Sequence, residues 1–193
     1  MATPFNRDIR AVPNLISLGR VVLVLLTIVV IHFFDQIVLG FVLGILAGVT
    51  DFLDGYLARK LNQTSDLGEV LDQFSDLVYE GLFFLLLVTL PNGLNAFFLG
   101  AYLVREFWVM SIRRLMADRG ILAKSSIVGK IKTHLYSYGF VLFWVYHAQF
   151  IPAANTWLYQ LSLALFSGGL ILAYWSGWMY TQAFIRGYNT TEQ

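Results

Sequence analysis

The sequence predicts an all-α integral membrane protein with six transmembrane helices and both termini on the cytoplasmic side. Three observations carry this expectation. Of 193 residues, 58% are hydrophobic and only 13% charged, whereas a soluble domain carries about a quarter charged. The apolar residues gather into runs that approach the roughly 20 residues a membrane helix needs. The basic residues cluster in every second connection between those runs, the pattern that fixes orientation in a bilayer.

The runs fall at 14–34, 36–58, 70–90, 95–117, 127–149 and 156–185. Each break has its own punctuation: "FFDQ" near 35, "NQTSDLG" at 62–68, "LPNGLN" at 90–95, "ADRGILAKSS" at 117–126 and "IPAANT" at 151–156. Gly, Pro and short polar residues mark turns there. No alternating ten-residue segments suggest a β-barrel. No internal repeat or linker divides the chain, so residues 1–193 are expected to form a single membrane domain.

Arg7 and Arg10 precede the first run, and Arg59 and Lys60 end the second. Arg113, Arg114, Arg119 and Lys124 surround the fourth connection, Lys130 and Lys132 follow it, and Arg186 follows the last run. The opposite loops have no Lys or Arg, so the termini and basic loops are expected in the cytoplasm. The N-terminal "MATPFNRDIRAVPNLISLGR" lacks the compact apolar core and cleavage site of a signal peptide, so the first run is expected to stay in the membrane. A net charge of +1 argues against a nucleic-acid partner. The absence of Cys excludes disulfides, thiolate catalysis and Cys-ligated metals.

Against this apolar background stands "DFLDGYLARKLNQTSDLGEVLDQFSD", residues 51–76. Asp51 and Asp54 are three apart near the end of the second run, and Asp72 and Asp76 are four apart at the start of the third. Each pair therefore shares a helix face. A short connection makes the two helices antiparallel neighbours and can bring the pairs together. Each carboxylate deep in a bilayer costs about 2.5–3.5 kcal/mol, and four together also repel. A divalent cation removes both costs, and hard oxygen donors suit Mg²⁺ or Mn²⁺. Mg²⁺ usually completes its shell with phosphate oxygens, which hints at a phosphate-bearing substrate. The simpler reading, a solvated acidic rim, does not account for two helical pairs with Gly55, Ala58 and Gly68 between them. Small residues let backbone or ligand approach, and the guanidinium of Arg59 suits a pyrophosphate.

Asp51-x-x-Asp54-Gly55-x-x-Ala58-Arg59, eight residues, then Gly68-x-x-x-Asp72-x-x-x-Asp76 resembles the signature of the CDP-alcohol phosphatidyltransferases. That family has a six-helix membrane core of about this chain's length. The resemblance implies that Asp51, Asp54 and Asp72 hold the metal ions on the CDP pyrophosphate, with Asp76 at the same site as general base on the acceptor hydroxyl. It implies that Gly55 and Ala58 make room for the cytidine, that Arg59 contacts the phosphates and that Gly68 belongs to the CDP-lipid site. Asn14 and Arg20 resemble family positions near the nucleotide. The implied reaction is displacement of CMP from CDP-diacylglycerol by an alcohol, at the cytoplasmic face of the inner membrane.

"PNLISLGR", "REFWVMSIRRLMADRG" and "SSIVGKIKT" look most like the bacterial phosphatidylglycerophosphate synthase branch, whose acceptor is sn-glycerol 3-phosphate. An anionic acceptor needs cations. Arg105, inside a predicted span, and Lys130, at the start of the fifth, are the first candidates, with Arg113 and Lys132. The competing account is structural: an Arg105–Glu106 or Glu106–Arg113 pair with snorkelling lysines. Gln73, Ser75 and Leu77 depart from that branch's usual residues, which leaves inositol phosphate, serine and phosphatidylglycerol open as acceptors.

Of the remaining polar residues, His32 and His147 suit the membrane interface, as do the aromatics of "YWSGWMY"; His134 and Glu80 could border the site. The glycines of "LFSGG" suit helix packing, within the chain or in a homodimer. A cation transporter is the competing functional class. The confinement of the acidic residues to one membrane face and the lack of inverted repeats speak against it.

Overall fold

The computed structural model describes residues 8–61, 63–121 and 127–191, and nearly all of these are helical. Six long helices follow in order: α1 (Val12–Phe34), α2 (Ile37–Lys60), α3 (Asp66–Thr89), α4 (Ala96–Asp118), α5 (Ile127–His147) and α6 (Asn155–Thr191). A single 3₁₀ turn, Pro152–Ala154, precedes α6. Among the described residues there is no strand. Arg7 and Lys124, used above for orientation, lie outside the described residues.

The ends follow local chemistry. Pro13 sits in the first turn of α1, where its missing N–H costs nothing. Asp35 ends α1 in the left-handed region at φ 54°, its N–H bonded back to the Ile31 carbonyl, a conformation short polar residues tolerate. α3 starts four residues before the apolar run because Ser65 caps it, its Oγ accepting from the Gly68 N–H at 3.1 Å. Asn95 caps α4 in the same way through the Phe97 N–H. α6, with 37 residues, is about 55 Å long at 1.5 Å per residue. That exceeds a hydrocarbon core of about 30 Å, so its polar C-terminal turns extend past the apolar run.

Val12–Phe34, Ile37–Lys60 and Pro152–Asn189 are long and apolar enough to cross a membrane. α3 carries more charge, with Asp66, Glu69, Asp72, Asp76 and Glu80, and α4 has Arg105, Glu106, Arg113, Arg114 and Asp118.

The chain divides into two compact units, Met1–Gly93 and Leu94–Gln193. In the first, α1 packs on both α2 and α3. Its inward face is the stripe Pro13, Ser17, Arg20, Val24, Thr27 and Ile31, at helical spacing. Val24, Ile31, Ala47, Phe83, Phe84, Leu86 and Leu87 form the apolar core. Gly44 and Gly48 of α2 receive Phe83 and Tyr79 of α3: an added Cβ would lie 2.8 and 3.0 Å from those side chains. At the far end, His32 meets Thr89 at 2.8 Å, which ties α1 to α3.

In the second unit, α6 packs on α5 and on α4. Gly139 lies against Phe166, and Gly169 of the "LFSGG" segment lies against Tyr136. Lipid tails are as apolar as the side chains, so close packing and polar contacts hold such helices together. Gly169→Ala would place a Cβ 2.4 Å from a ring carbon of the buried Tyr136, whereas Gly100 has nothing within 4 Å. Overpacking of this kind costs about 1–3 kcal/mol. Thermal unfolding in detergent should therefore show a lowered Tm for Gly169→Ala and none for Gly100→Ala.

Candidate active site

The four aspartates of the acidic stretch come together in the first unit, around a side chain from α1. Arg20 is 0% exposed, although it sits in the middle of an apolar run. Its Nη1 pairs with Asp51 Oδ1 at 2.9 Å and with Asp76 Oδ1, and lies 3.8 Å from Asp72 Oδ1. Its Nη2 pairs with Asp54 Oδ2. Its Nε donates to Thr50 Oγ1 at 3.4 Å, and Thr50 in turn donates to the Ala47 carbonyl. One guanidinium therefore touches all four carboxylates, as its planar fork of donors allows.

The carboxylates are not equivalent. Asp54 is 4% exposed. Its Oδ2 also accepts from Ser17 Oγ at 2.9 Å, and its Oδ1 accepts from the Gly55 N–H at 2.6 Å. The side chains of Asp51, Asp72 and Asp76 are each more than half exposed. These three each offer an oxygen, all within 4.8 Å of one another. Donors around one Mg²⁺ at about 2.1 Å lie up to about 4.2 Å apart, so this all-oxygen set fits a small hard cation with little movement. The chemistry of the donors suits Mg²⁺ or Mn²⁺; Asp54 faces Arg20 and Ser17 instead.

Beside the carboxylates lies a cavity of about 410 Å³. Asn14, Ser17, Asp54, Gly55, Ala58, Gly68 and Asp72 line it, with the loop residues Gln63 to Asp66. Gly68 is needed here because a Cβ would come 2.8 Å from Asn14 Oδ1. Asn14 is held in turn by its Nδ2 donating to the Asp8 carbonyl at 2.7 Å. Gln63 accepts from the Val12 N–H, which joins the loop to the start of α1. Four residues named from the sequence, Asn14, Gly55, Ala58 and Gly68, thus share a surface with Asp54 and Asp72. Arg59 is exposed at the end of α2. Ser75, one of the departures noted above, is buried and donates to the Asp72 carbonyl.

The cations assigned to an acceptor lie in the second unit. Arg105 is buried, its Nε donating to the Ala173 carbonyl at 2.9 Å and its Nη2 to Ser176 Oγ at 2.6 Å. Its Nη1 pairs with Glu106, and the buried Lys132 reaches the same Glu106 oxygen at 3.2 Å. α4, α5 and α6 are thereby joined by one polar network, which realises the Arg105–Glu106 pair. Arg113 stands 5.9 Å from the centre of the Tyr180 ring, and Lys130 is exposed.

Ser17 and Thr50 were not singled out from the sequence, and Arg20 was read only as a neighbour of the nucleotide. A signal existed: Asn14, Ser17, Arg20 and Thr27 recur on one face of an otherwise apolar helix, and a lone guanidinium in such a helix demands a partner.

The chain is similar to known proteins over most of its length. The CDP-alcohol phosphatidyltransferase family pattern matches residues 10–175. A CDP-diacylglycerol–glycerol-3-phosphate 3-phosphatidyltransferase of Bacillus subtilis (strain 168) is 30% identical over 191 residues, covering 87% of this chain and 92% of the relative. The protein of the same name from Salmonella choleraesuis (strain SC-B67) is 28% identical over 184 residues, covering 89% and 93%. One from Treponema pallidum (strain Nichols) is 40% identical over 94 residues, covering 49% and 43%. With its apolar helices, the chain is a membrane enzyme, and it belongs to the CDP-alcohol phosphatidyltransferase family.

Proposed function

We propose that the protein transfers the phosphatidyl group of CDP-diacylglycerol to sn-glycerol 3-phosphate, releasing CMP and forming phosphatidylglycerophosphate. The observation that carries this is the meeting of Asp51, Asp72 and Asp76 oxygens within 4.8 Å beside the Asn14–Gly55–Ala58–Gly68 cavity. The names of the relatives, which cover most of their length and of this chain, support the acceptor.

In this reading the nucleotide occupies the cavity, with Gly55, Ala58 and Gly68 giving it room and Asn14 and Arg59 contacting it. Asp51, Asp72 and Asp76 would hold Mg²⁺ or Mn²⁺, with Asp54 completing the acidic set. A bound divalent ion neutralises charge on the pyrophosphate and on the departing CMP. Asp76 accepts the proton of the acceptor hydroxyl as its oxygen bonds to the phosphatidyl phosphorus and the bond to CMP breaks. A carboxylate is a weak base, so this transfer comes late, when the hydroxyl has become acidic. Arg105, Lys130, Arg113 and Lys132 are the proposed cations for the acceptor's phosphate. Direct contact falls chiefly on Lys130, because Arg105 and Lys132 already share Glu106.

The wider assignments rest on the same family reading. All six helices would span the inner membrane, termini and carboxylates on the cytoplasmic side, as the basic residues support. The lipid tails then stay in the bilayer while the nucleotide enters from water. Residues 1–193 would act as one phosphatidyltransferase domain, since the family match runs from 10 to 175 through both units. Membrane lipids surround it, and a homodimer is its proposed assembly.

The deciding assay is release of CMP from CDP-diacylglycerol by the purified protein with Mg²⁺ or Mn²⁺, across a panel of acceptors. Preference for serine or inositol phosphate over glycerol 3-phosphate would overturn the acceptor assignment. Asp72→Asn should leave less than about a tenth of the activity in folded protein, since losing one ligand raises the barrier by several kcal/mol.

Asp76→Asn should lower turnover by about 10²–10⁴ and donor affinity by far less, because Asp76 is one of several ligands to the ion but the proposed base on the acceptor. Separate measurement of donor binding and turnover checks this; a parallel collapse of donor affinity would make Asp76 chiefly a metal ligand.

Lys130→Ala should raise the acceptor KM about ten- to a hundredfold at unchanged Tm, the loss of one charge-assisted contact worth roughly 1.5–3 kcal/mol. Arg105→Ala should lower the Tm as well, since it strips partners from Glu106, Ser176 and the Ala173 carbonyl. Steady-state kinetics with each substrate varied in turn, beside melting curves, separates the two effects.

A further inference from the structure

We propose that Arg20 is a built-in counter-cation that a divalent ion must displace: its Nη1 occupies the metal position among Asp51, Asp72 and Asp76, and its Nη2, on the buried Asp54, is the pivot about which the guanidinium swings away. The inference rests on the reading that these aspartates hold the metal.

The guanidinium is divided between two environments. Nη2 and Nε face the buried side, on Asp54 and Thr50, and Asp54 is fixed further by Ser17 and the Gly55 N–H. Nη1 faces the open side, and its partners are the same three carboxylates whose oxygens cluster closely enough for one cation. A guanidinium nitrogen and a divalent ion cannot share that space. Two cations a few ångströms apart repel strongly at the effective dielectric of a protein boundary. Entry of the ion therefore requires Nη1 to leave Asp51, Asp72 and Asp76. The Asp54 side keeps the guanidinium next to the site.

Two consequences follow. In the metal-free protein Arg20 offsets the mutual repulsion of four carboxylates and keeps α1, α2 and α3 assembled. It also weakens cation binding, because each ion that binds must first break a pairing, so the protein releases its metal more readily than four aspartates alone would. The three helices also meet through the apolar core and at Gly44 and Gly48, so removing Arg20 takes a competitor from the metal position without removing that packing.

The test is Mn²⁺ binding to the purified, metal-free full-length protein in detergent, with free Mn²⁺ read by its paramagnetic resonance signal, beside thermal unfolding with and without Mn²⁺. Arg20→Met should bind Mn²⁺ at least tenfold more tightly than the unchanged protein. Its metal-free Tm should fall, and saturating Mn²⁺ should raise that Tm by more than it does in the unchanged protein. A purely structural arginine would give the opposite sign for affinity, since a loosened site binds worse. Arg20→Lys keeps the charge with a single donor group, which the buried Asp54 claims. It should bind Mn²⁺ at least threefold more tightly, and it carries the test if Arg20→Met does not fold. Equal or weaker Mn²⁺ binding in the folded variants would overturn the proposal while Asp72→Asn still weakens it. If Asp72→Asn and the unchanged protein bind Mn²⁺ alike, the metal reading itself falls, and the proposal with it.

Discussion

The first unit is organised by the need to neutralise one guanidinium. Arg20 lies fully buried near the middle of a 23-residue apolar helix, and a charge there is tolerated only with partners close by. Those partners come from two other helices, so α1, α2 and α3 must meet with a definite rotation about their axes. A shift of one residue along α1 would turn Arg20 by about 100° and strip it of all four carboxylates. The dependence runs both ways, because the carboxylates would repel one another without it. Ser17 and Thr50 secure the arrangement at the sides, and Gly44 and Gly48 let the aromatic side chains of α3 lie against α2.

Much of this was legible in the sequence because it depends on spacing along one helix. Asp51 with Asp54 and Asp72 with Asp76 share faces by helical period alone, and the apolar runs located the helices to within a few residues. What the sequence could not give was rotation between helices. That rotation buries Asp54 against Arg20 and leaves Asp51, Asp72 and Asp76 facing the open side, although all four read alike as letters. It also gives Arg20 its central place, where reading along the chain left it merely close to a nucleotide. The early start of α3 escaped hydropathy for a different reason: a side-chain cap at Ser65 decides it, not an apolar run.

Arg105 illustrates the same limit. From sequence, a cation in a span could equally serve a ligand or a structural pair, since its surroundings on neighbouring helices were unknown. Its Nε and Nη2 are taken by the Ala173 carbonyl and Ser176, and its Nη1 by Glu106. The first two hold α4 to α6, and Glu106 in turn joins α4 to α5 through Lys132. A ligand role for Arg105 therefore has to coexist with a packing role, whereas the exposed Lys130 has no such role among the described residues.

The two buried arginines solve one problem with different consequences. Arg105 is satisfied partly by a carbonyl and a hydroxyl, neutral groups fixed in helix packing, and such partners do not exchange. Every charged partner of Arg20 is a carboxylate, and the side chains of three of the four are more than half exposed. A carboxylate at such a boundary can pass from one cation to another at little cost, because both states keep it neutralised. Burial of Asp54 supplies the fixed end of that arrangement, and exposure of Asp51, Asp72 and Asp76 supplies the exchangeable end. A membrane enzyme that must admit a charged donor from water and then release a charged nucleotide needs both properties in one place. It needs a cation that never leaves the fold, next to acidic groups that can change their partners.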